Sequence, residues 1–446
     1  MHAGHAKRRM PAATDPLGAL NMADPKDWFT AGLEHIWLPY AQMRTLPAPV
    51  AIARTEGSRL YLADGRELVD GVGSWWTSIH GYNRPELLDA ARDQMAKMPH
   101  IMLGGLAHEP AYRLATRLAE ITPGDLSRVF FTESGSVAVE VAMKIAIQYF
   151  RNTAGVTRTK FVSFLGGYHG DTLATMSVCD PDEGMHHMFR GALAEQYVVA
   201  LPETRDQIRA LETLLSTDKK IAAVMIEPLI QGAGGMRMHS PQVLKTLRRL
   251  CDQAGVLLIF DEIFTGFGRT GEMFAAARAG VTPDIMCLGK AITGGITPLA
   301  ATLASSKVYA AFHSENPDHA LMHGPTYTGH ALACAVANAG LDLFADGSLI
   351  KRVKKLEASL TSALAPAKDM DSVVDVRVLG AVAAVELADP FPIEAARKWF
   401  IDEGTFIRPL GRTVYLSPAY GISDDDLARL TGAILKFAKT GISDIG

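Results

Sequence analysis

Short apolar segments alternate with longer segments of helical periodicity through the middle of this 446-residue chain. The stretches TKFVSF, KIAAVMI, VLLIFD and DIMCL are short and mostly apolar, as strands buried on both faces of a sheet are. Between them, SVAVEVAMKIAIQYF and SPQVLKTLRRLCDQAG have helical patterns, the second with Ser240 as N-cap and Gly255 as its stop. This alternation predicts an α/β fold with a mainly parallel sheet covered by helices on both faces.

The pattern changes near Gly347, where a lysine-rich helix is followed by mixed strands and helices. We therefore predict a large domain at residues 75–346 and a smaller α+β domain at residues 347–446. Residues 26–74, which include the hairpin-like LYLADGRELVD, are expected to pack with the smaller domain. Residues 1–25 have no continuous apolar segment and are predicted to be a disordered extension, with Met22 as an alternative start.

Composition excludes several classes of function. The formal net charge is −4 with acids and bases interspersed, so no basic surface for nucleic acid and no polybasic membrane patch is expected. No apolar stretch approaches the roughly 18 residues of a membrane span. Four widely spaced cysteines, none with a metal-ligand or CxxC spacing, predict reduced thiols, no metal site and a cytoplasmic location.

Two charged residues close apolar runs and therefore need an explanation. Lys290 follows DIMCLG, and an isolated lysine there would usually extend its amine to solvent. The alternative is a Schiff-base lysine, whose desolvated amine has a lowered pKa and attacks an aldehyde. Asp261 ends VLLIFD and would either cap a loop, pair with Arg269, or face a pyridinium nitrogen. Both would lie at carboxyl ends of strands, where open α/β sheets bind ligands.

Three polar or glycine-containing segments complete a possible cofactor site. Ser134, Gly135 and Ser136 precede a helix whose free N–H groups and dipole suit a phosphate. Tyr168, after two glycines, could stack on a planar ring or be a core tyrosine. Thr326 in HGPTYTG could make a second phosphate bond. A ligand with an aldehyde, a ring nitrogen and a phosphate, such as pyridoxal 5′-phosphate (PLP), would engage all of these groups.

Two other phosphate-binding motifs are absent from the sequence. QGAGGM and GFGRTG are rich in glycine, but neither has the GxGxxG pattern that opens a helix in dinucleotide-binding folds. No GxxxxGK[ST] sequence occurs. Dinucleotide and nucleoside-triphosphate enzymes are therefore disfavoured.

Taken together, these motifs resemble those of the class III aminotransferases, which are PLP enzymes of fold type I. The motifs are ESGS, GGYHGDT, EPLIQGAGG, IFDEIFTGFGRTG, CLGKAITGG and HGPTYTG. The resemblance covers roughly residues 33–440 and implies a seven-stranded-type sheet in the large domain, with a small domain built from both termini. Five further stretches resemble the members that use S-adenosylmethionine as amino donor and 8-amino-7-oxononanoate as acceptor in biotin biosynthesis. They are WLPY (37–40), SWWTSIHGY (74–82), HIMLGGLAHEPA (100–111), SVCDPDEGMH (177–186) and IRPLGRTVYLSPAY (407–420).

The resemblance also implies roles for individual residues. It makes Lys290, Asp261 and Tyr40 catalytic, with Lys290 forming the internal aldimine of a ping-pong transamination. The implied cofactor-binding residues are Gly135, Ser136, Tyr168, Asp261, Lys290, Pro325 and Thr326. The implied substrate-binding residues are Tyr40, Trp75, Tyr168, Lys290, Gly324, Arg408 and Tyr415. Thr326 would come from the partner subunit of a homodimer with shared active sites.

The chemistry of these residue types agrees with such substrates. Aromatic faces attract cations, so Trp75, Trp76 and Tyr40 could contact a sulfonium group. Arg408 could bind a carboxylate through two N–H groups. Trp75 and Trp76 could instead be a core pair, but their small and polar neighbours in GVGSWWTS predict a loop with at least one ring exposed.

Some residues depart from the usual family pattern. Leu38 stands where histidine is common, Phe264 replaces a small residue, and His330-Ala331 replaces Asn-Pro. Phe264 is expected to matter most, because it is bulky and close to the predicted ring site. The alternative functions are another ω-aminotransferase of this class, the lysine-using relative in biotin synthesis, or a non-catalytic PLP-binding protein. The last is disfavoured because Lys290, Asp261 and Arg408 are all present.

Overall fold

A computed structural model describes residues 25–182 and 187–440 of the chain. The predicted extension, apart from residue 25, and Met22 lie outside the described residues. So do residues 183–186 of the SVCDPDEGMH stretch and the last six residues of the predicted small domain.

The centre of the described structure is a seven-stranded sheet, which confirms the predicted α/β fold. Its strand order is β4–β12–β11–β10–β7–β5–β6, and β12 alone runs antiparallel to its two neighbours. Its strands are β4 (Arg128–Thr132), β5 (Lys160–Phe164), β6 (Tyr197–Val199), β7 (Ile221–Ile226), β10 (Leu257–Asp261), β11 (Ile285–Leu288) and β12 (Ala300–Ala304). The sequence analysis did not predict β12, because AATLA has few β-branched or aromatic residues.

Both faces of this sheet are buried, which explains the apolar runs. In β10, Leu258 and Phe260 belong to one hydrophobic cluster, and Leu257 and Ile259 belong to another on the opposite face. Alternate strand residues point to opposite faces, so a strand covered on both sides must be apolar at every position.

Fourteen α-helices occur in the described residues, besides short 3₁₀ turns. They are α1 (Pro25–Leu33), α2 (Gly73–Trp76), α3 (Pro85–Lys97), α4 (Glu109–Ile121), α5 (Gly135–Ala154), α6 (Leu173–Met176), α7 (Arg205–Thr217), α8 (Pro241–Ala254), α9 (Ala275–Ala279), α10 (Ser306–Ala310), α11 (Ala331–Asp342), α12 (Ser348–Leu364), α13 (Ile393–Asp402) and α14 (Asp424–Thr440). The predicted limits of α8 are confirmed: Ser240 accepts a hydrogen bond from Gln242, and Gly255 is left-handed with φ of 64°. None of the described helices has the length and apolar character to cross a membrane.

Three smaller sheets complete the described residues. One contains β1 (Ile52–Glu56), β2 (Arg59–Leu62), β3 (Glu67–Asp70) and β15 (Thr405–Phe406). The second contains β13 (Val373–Leu379), β14 (Val382–Leu387) and β16 (Thr413–Leu416), and the third pairs β8 (Ile230–Gln231) with β9 (Arg237–Met238). The predicted hairpin is β2–β3, and β3 also pairs with β15 from near the other end of the chain. The predicted domain boundaries stay a prediction, which the β3–β15 pairing supports.

Candidate active site

A pocket with about 610 Å³ of empty space opens beside the carboxyl ends of the parallel strands. Its lining residues are Trp76, Gly135, Ser136, Tyr168, His169, Gly170, Glu227, Ala233, Asp261, Ile263, Phe264 and Lys290. Of the predicted site residues, it therefore gathers Lys290, Asp261, Tyr168, Gly135 and Ser136 from four separate segments of the chain.

Lys290 lies in the pocket and does not extend to the outer surface. Strand β11 ends at Leu288, and Lys290 opens a short 3₁₀ turn, with a φ of 44°. Its Nζ lies 4.9 Å from the centre of the Trp76 ring. Burial lowers the pKa of the Lys290 amine, while the nearby carboxylates of Asp261 and Glu227 oppose this shift. A lysine in these surroundings releases its proton more readily than a lysine in water.

The Asp261 carboxylate is held by His169 and not by Arg269. His169 Nδ1 donates to Asp261 Oδ2 at 2.8 Å, and the Ile263 N–H donates to Oδ1 at 3.2 Å. Arg269 donates instead to the carbonyl oxygens of Phe264 and Trp76 and to a serine hydroxyl. The sequence analysis assigned no role to His169, because its contact with Asp261 joins residues 92 positions apart.

Glu227 is a second buried carboxylate that the sequence analysis left without a role. Its two oxygens accept hydrogen bonds from the N–H groups of Tyr168, at 3.0 Å, and Gly232, at 2.9 Å. Burial raises the pKa of Glu227 to about 7. The carboxylate holds the glycine loop that carries Tyr168. The position of Glu227 directly after β7, in the motif EPLIQGAGG, was the sequence feature that could have indicated a role in the site.

The predicted phosphate seat is the amino end of α5, a helix of 20 residues. Ser134 caps this helix by accepting a hydrogen bond from the Val137 N–H at 3.3 Å. The hydroxyl of Ser136 accepts from the Asp171 N–H at 3.1 Å and lines the pocket with Gly135. The first N–H groups of a helix have no partner within it, and the helix dipole favours an anion there. We name Lys290, Asp261, His169, Glu227 and Ser136 the pocket floor.

Tyr40 and Tyr168 meet at the edge of the pocket. Their hydroxyl oxygens lie 3.2 Å apart, and Tyr40 also donates to the Asp171 carboxylate. Burial, together with the bond to Asp171, raises the pKa of Tyr40 to about 12, so the phenol stays protonated at neutral pH. Tyr40 is 53% exposed, whereas Tyr168 lines the pocket.

Tyr40, Trp75 and Arg408 form what we name the outer wall. The rings of Tyr40 and Trp75 meet edge to face at 6.3 Å, and the Arg408 guanidinium lies 4.9 Å from the centre of the Trp75 ring. Arg408 forms no ion pair with residues 25–182 or 187–440, and burial together with the charge of Arg397 lowers its pKa. The exposure of Trp75, at 42%, confirms the prediction that one tryptophan of the pair is exposed.

Three other positions refine the predicted substrate site. Trp76, with 6% exposure, lines the pocket; the sequence analysis named it only as a possible sulfonium contact, and the assignment of Trp75 as a substrate-binding residue stays a prediction. Tyr415 is buried in β16 and does not line the pocket; it packs against Trp76 at a ring distance of 6.2 Å and lies near enough to Arg408 for the guanidinium to affect its pKa. Phe264 also lines the pocket and lies 4.5 Å from the Trp76 ring centre.

Gly324, Pro325 and Thr326 do not line the pocket of their own chain. Gly324 and Thr326 are exposed, in the turn that precedes α11. Their predicted contribution to the site of a partner subunit stays a prediction.

The pocket floor fits a ligand that carries an aldehyde, a basic ring nitrogen and a phosphate. It offers an amine of lowered pKa, a buried carboxylate and a helix amino terminus, and Tyr168 adds an aromatic ring. These four groups match the chemistry of PLP.

Comparison with known proteins points to the same chemistry. Residues 40–437 match the sequence model of the family described as Aminotransferase class-III. The Adenosylmethionine-8-amino-7-oxononanoate aminotransferase of Corynebacterium glutamicum is 42% identical over 90% of this chain and 96% of its own length. The protein of the same name from Mycobacterium leprae is 42% identical over 94% of this chain and 99% of its own.

Solved structures share the fold over nearly the whole chain. The adenosylmethionine-8-amino-7-oxononanoate aminotransferase of Methanocaldococcus jannaschii has a TM-score of 0.87 and 32% identity, covering 92% of this chain and 98% of that one. An amine transaminase from an uncultivated Pseudomonas species, in its PLP-bound internal aldimine form, has a TM-score of 0.85 and 32% identity. That similarity covers 91% of this chain and 98% of the other.

Proposed function

This chain belongs to the class III aminotransferases, and we propose that it transfers the amino group of S-adenosylmethionine to 8-amino-7-oxononanoate, forming 7,8-diaminononanoate in biotin biosynthesis. The observation that carries the choice of substrates is the outer wall. Beside the Lys290 pocket, it offers two aromatic rings for a sulfonium cation and an arginine without an acidic partner among the described residues for a carboxylate.

The cofactor is PLP, which when bound carries the amino group and withdraws electrons from the reacting carbon of the substrate. We assign Lys290 as the residue that attaches it, because this amine lies in the pocket with a lowered pKa. Asp261 would face the ring nitrogen, since a buried carboxylate there is stable only beside positive charge or hydrogen-bond donors. Gly135 and Ser136 would hold the phosphate at the start of α5.

The chain then acts as acid and base on the substrate. Lys290 Nζ takes a proton from the substrate Cα and later returns one, and its lowered pKa makes both steps accessible near neutral pH. His169 keeps the Asp261 carboxylate oriented, and Glu227 keeps the Tyr168 loop in place. Tyr40 and Tyr168 supply protonated phenols at the pocket edge.

The two substrates use the same pocket in turn, and the outer wall suits both. Sulfonium–aromatic attraction contributes roughly 0.5–2 kcal/mol at each ring. Charge-assisted hydrogen bonds between an arginine and a carboxylate contribute about 1.5–3 kcal/mol. The arrangement of Trp75 under the Arg408 guanidinium would place the carboxylate of a substrate at one end of this wall.

A homodimer with shared active sites is part of the proposal. The exposed Gly324–Thr326 turn would approach the phosphate site of a second copy. Nearby Met322 is 77% exposed and Trp37 in the amino-terminal segment is 87% exposed, which supports burial of these segments in an interface. The cytoplasmic location inferred from the isolated cysteines stays a prediction; all four thiols are free and buried.

A two-substrate assay tests the proposed reaction. Purified holoenzyme is given 8-amino-7-oxononanoate with S-adenosylmethionine, lysine, alanine or 1-phenylethylamine, and diamine formation is followed by mass spectrometry. We expect diamine only with S-adenosylmethionine. Turnover with lysine alone would assign the lysine-using pathway, and turnover with alanine or 1-phenylethylamine would assign a general ω-aminotransferase. Failure of every donor to convert the bound cofactor would support the non-catalytic alternative.

A further inference from the structure

The segment that carries both tryptophans has an unusual backbone. The four residues of α2, Gly73, Ser74, Trp75 and Trp76, have φ values of 56°, 47°, 53° and 71°. With ψ of 62° and 46°, Ser74 and Trp75 lie in the left-handed helical region. L-residues avoid this region because Cβ approaches the following carbonyl oxygen, so three consecutive non-glycine residues there are strained. Such strain persists only where the surroundings hold it.

This left-handed turn separates the environments of two adjacent tryptophans. Trp76 packs into the pocket, against Phe264 and within 4.9 Å of the Lys290 amine. Trp75 lies on the outer wall, against Tyr40 and Arg408. The turn therefore sets where the reacting amine lies relative to the groups that would bind the substrate.

The buried carboxylate of Asp70 holds the turn through hydrogen bonds to its backbone. Asp70, at the end of β3 and 2% exposed, accepts hydrogen bonds from the N–H groups of Val72, at 2.8 Å, and Gly73, at 3.1 Å. Its second oxygen accepts from the Tyr82 hydroxyl at 2.6 Å. The same hydroxyl lies 2.6 Å from Ser74 Oγ, so Tyr82 connects Asp70 to the middle of the turn.

We propose that Asp70 and Tyr82 are positioning residues for the substrate site. Neither residue lines the pocket. Together they hold the left-handed turn, and the turn fixes Trp76 beside Lys290 and Trp75 beside Arg408. The naming of substrates rests on the proposed function, but the positioning role applies to any amine and acceptor that use these two tryptophans.

Variants of Asp70 test this role through substrate affinity. Asp70→Ala leaves two backbone N–H groups without their acceptor, and we expect KM for both substrates to rise about tenfold. Asp70→Asn keeps an oxygen for both N–H groups and should recover most of that loss. Tyr82→Phe should raise KM by a smaller factor. The affinity of the apoenzyme for PLP, measured by absorbance titration, should stay within about twofold. The substitutions disturb the turn that carries the tryptophans and leave Asp261, Gly135 and Ser136, the proposed cofactor-binding residues, unchanged.

Asp284→Asn is a matched control. Asp284 also accepts a backbone N–H bond, from Leu258 at 2.8 Å, and it pairs with Arg248, but it lies just before β11, at the end of that strand opposite the pocket. This variant should lower the melting temperature and leave KM unchanged.

A pair of Ser74 variants tests the backbone itself and remains informative if Asp70→Ala does not fold. Ser74→Gly and Ser74→Ala both remove the hydroxyl, but only glycine adopts positive φ without a clash. Ser74→Gly should therefore melt at a higher temperature than Ser74→Ala.

Three results would overturn the proposal. The first is an unchanged KM in folded Asp70→Ala and Tyr82→Phe. The second is a parallel loss of PLP affinity, melting temperature and activity, which would make Asp70 a general structural residue. The third is a Ser74→Gly variant no more stable than Ser74→Ala. If wild type rejects S-adenosylmethionine but accepts another amine, KM is measured with that amine, so failure of the proposed substrate is separated from failure of the positioning role.

Discussion

The pocket floor and the outer wall differ in whether the chain itself supplies partners for their charged groups. In the floor, Asp261 is bonded by His169, and Glu227 binds two backbone N–H groups of neighbouring loops. In the wall, Arg408 has no acidic partner among the described residues, and Tyr40 and Trp75 are about half exposed. The chain thus holds the carboxylates of the pocket floor in place by itself and leaves the outer wall without such bonds.

This difference follows from the cost of burying charge. A buried carboxylate without donors is strongly unfavourable, so each floor carboxylate is tied to the backbone or to His169. Arg408 is only partly buried and stays in contact with water, so it needs no acidic partner in the absence of a substrate. Substitutions in the pocket floor should therefore slow both half-reactions. Substitutions in the outer wall should weaken the binding of one class of substrate.

The largest expected effect is at Lys290. Lys290→Ala should lower the rate of both half-reactions by at least about 10²–10⁴-fold, because the general base and acid is removed. Stopped-flow absorbance of each half-reaction measures this. Lys290→Arg, which keeps a charge but cannot lose its proton, should be equally slow. In wild type, borohydride reduction followed by peptide mass spectrometry should place the PLP label on Lys290, and a label on another lysine would contradict the assignment.

The next largest effect should separate the wall from the floor. Arg408→Met should raise KM for 8-amino-7-oxononanoate by about 10–100-fold, corresponding to a lost charge-assisted hydrogen-bonded pair. Steady-state kinetics measures the change, and Arg408→Lys should lie between wild type and Arg408→Met. The rate with an amine donor that lacks a carboxylate should be unaffected. Equal losses for both kinds of substrate would show that Arg408 supports the whole site and does not act on carboxylates specifically.

Phe264 lies at the boundary between the two regions. It contacts Trp76, and Arg269 donates to its carbonyl oxygen. Phe264→Ala should enlarge the pocket and raise kcat/KM for bulky aryl amines relative to S-adenosylmethionine by about tenfold, within the usual range for reshaping an apolar pocket. Phe264→Tyr serves as the control of similar size. If the donor ratio is the same in Phe264→Ala and wild type, Phe264 does not limit the pocket.

The smallest expected effect is on the pH dependence of the free energy of unfolding. It arises from Glu262, which directly follows β10. Glu262 accepts hydrogen bonds from Ala275, Ala276 and Thr265, and burial raises its pKa to about 7. A raised pKa means that its contribution to stability is present below about pH 4.5 and is lost as pH rises through about 7. Between pH 5 and 8, wild type should therefore lose up to about 2 kcal/mol of unfolding free energy relative to Glu262→Gln.

Urea denaturation of the two apoproteins at pH 5 and pH 8 measures this difference. The exposed pair of Glu272 with Lys354 provides a control, since Glu272→Gln should follow the wild-type profile. Parallel profiles for wild type and Glu262→Gln would contradict the expectation.

Much of the pocket floor could be predicted from sequence because of the sheet. Lys290, Asp261 and Ser136 each follow an apolar strand, and the carboxyl ends of strands that run in one direction meet at one edge. The roles of His169 and Glu227 could not be predicted in this way. Their partners lie 92 and 59 residues away, and single-chain patterns do not record such contacts.

The outer wall was predicted less well for the same reason. Consecutive tryptophans indicated a binding loop, but the sequence did not show which ring enters the pocket. The left-handed backbone of α2 decides that, and it depends on Asp70 and Tyr82 from another sheet and loop. Tyr415 does not line the pocket, because β16 places it in the core, where it packs against Trp76 and lies near Arg408.

The sequence by itself determined the α/β class, the mainly parallel sheet and the strand-end residues that meet in the pocket, because periodicity and strand-end chemistry are local properties. Tertiary structure alone decided which acid is bonded to which donor, which tryptophan faces Lys290 and how a strained turn is held in place. Those outcomes depend on hydrogen bonds and packing between distant segments, whose free energies exist only when the chain is folded.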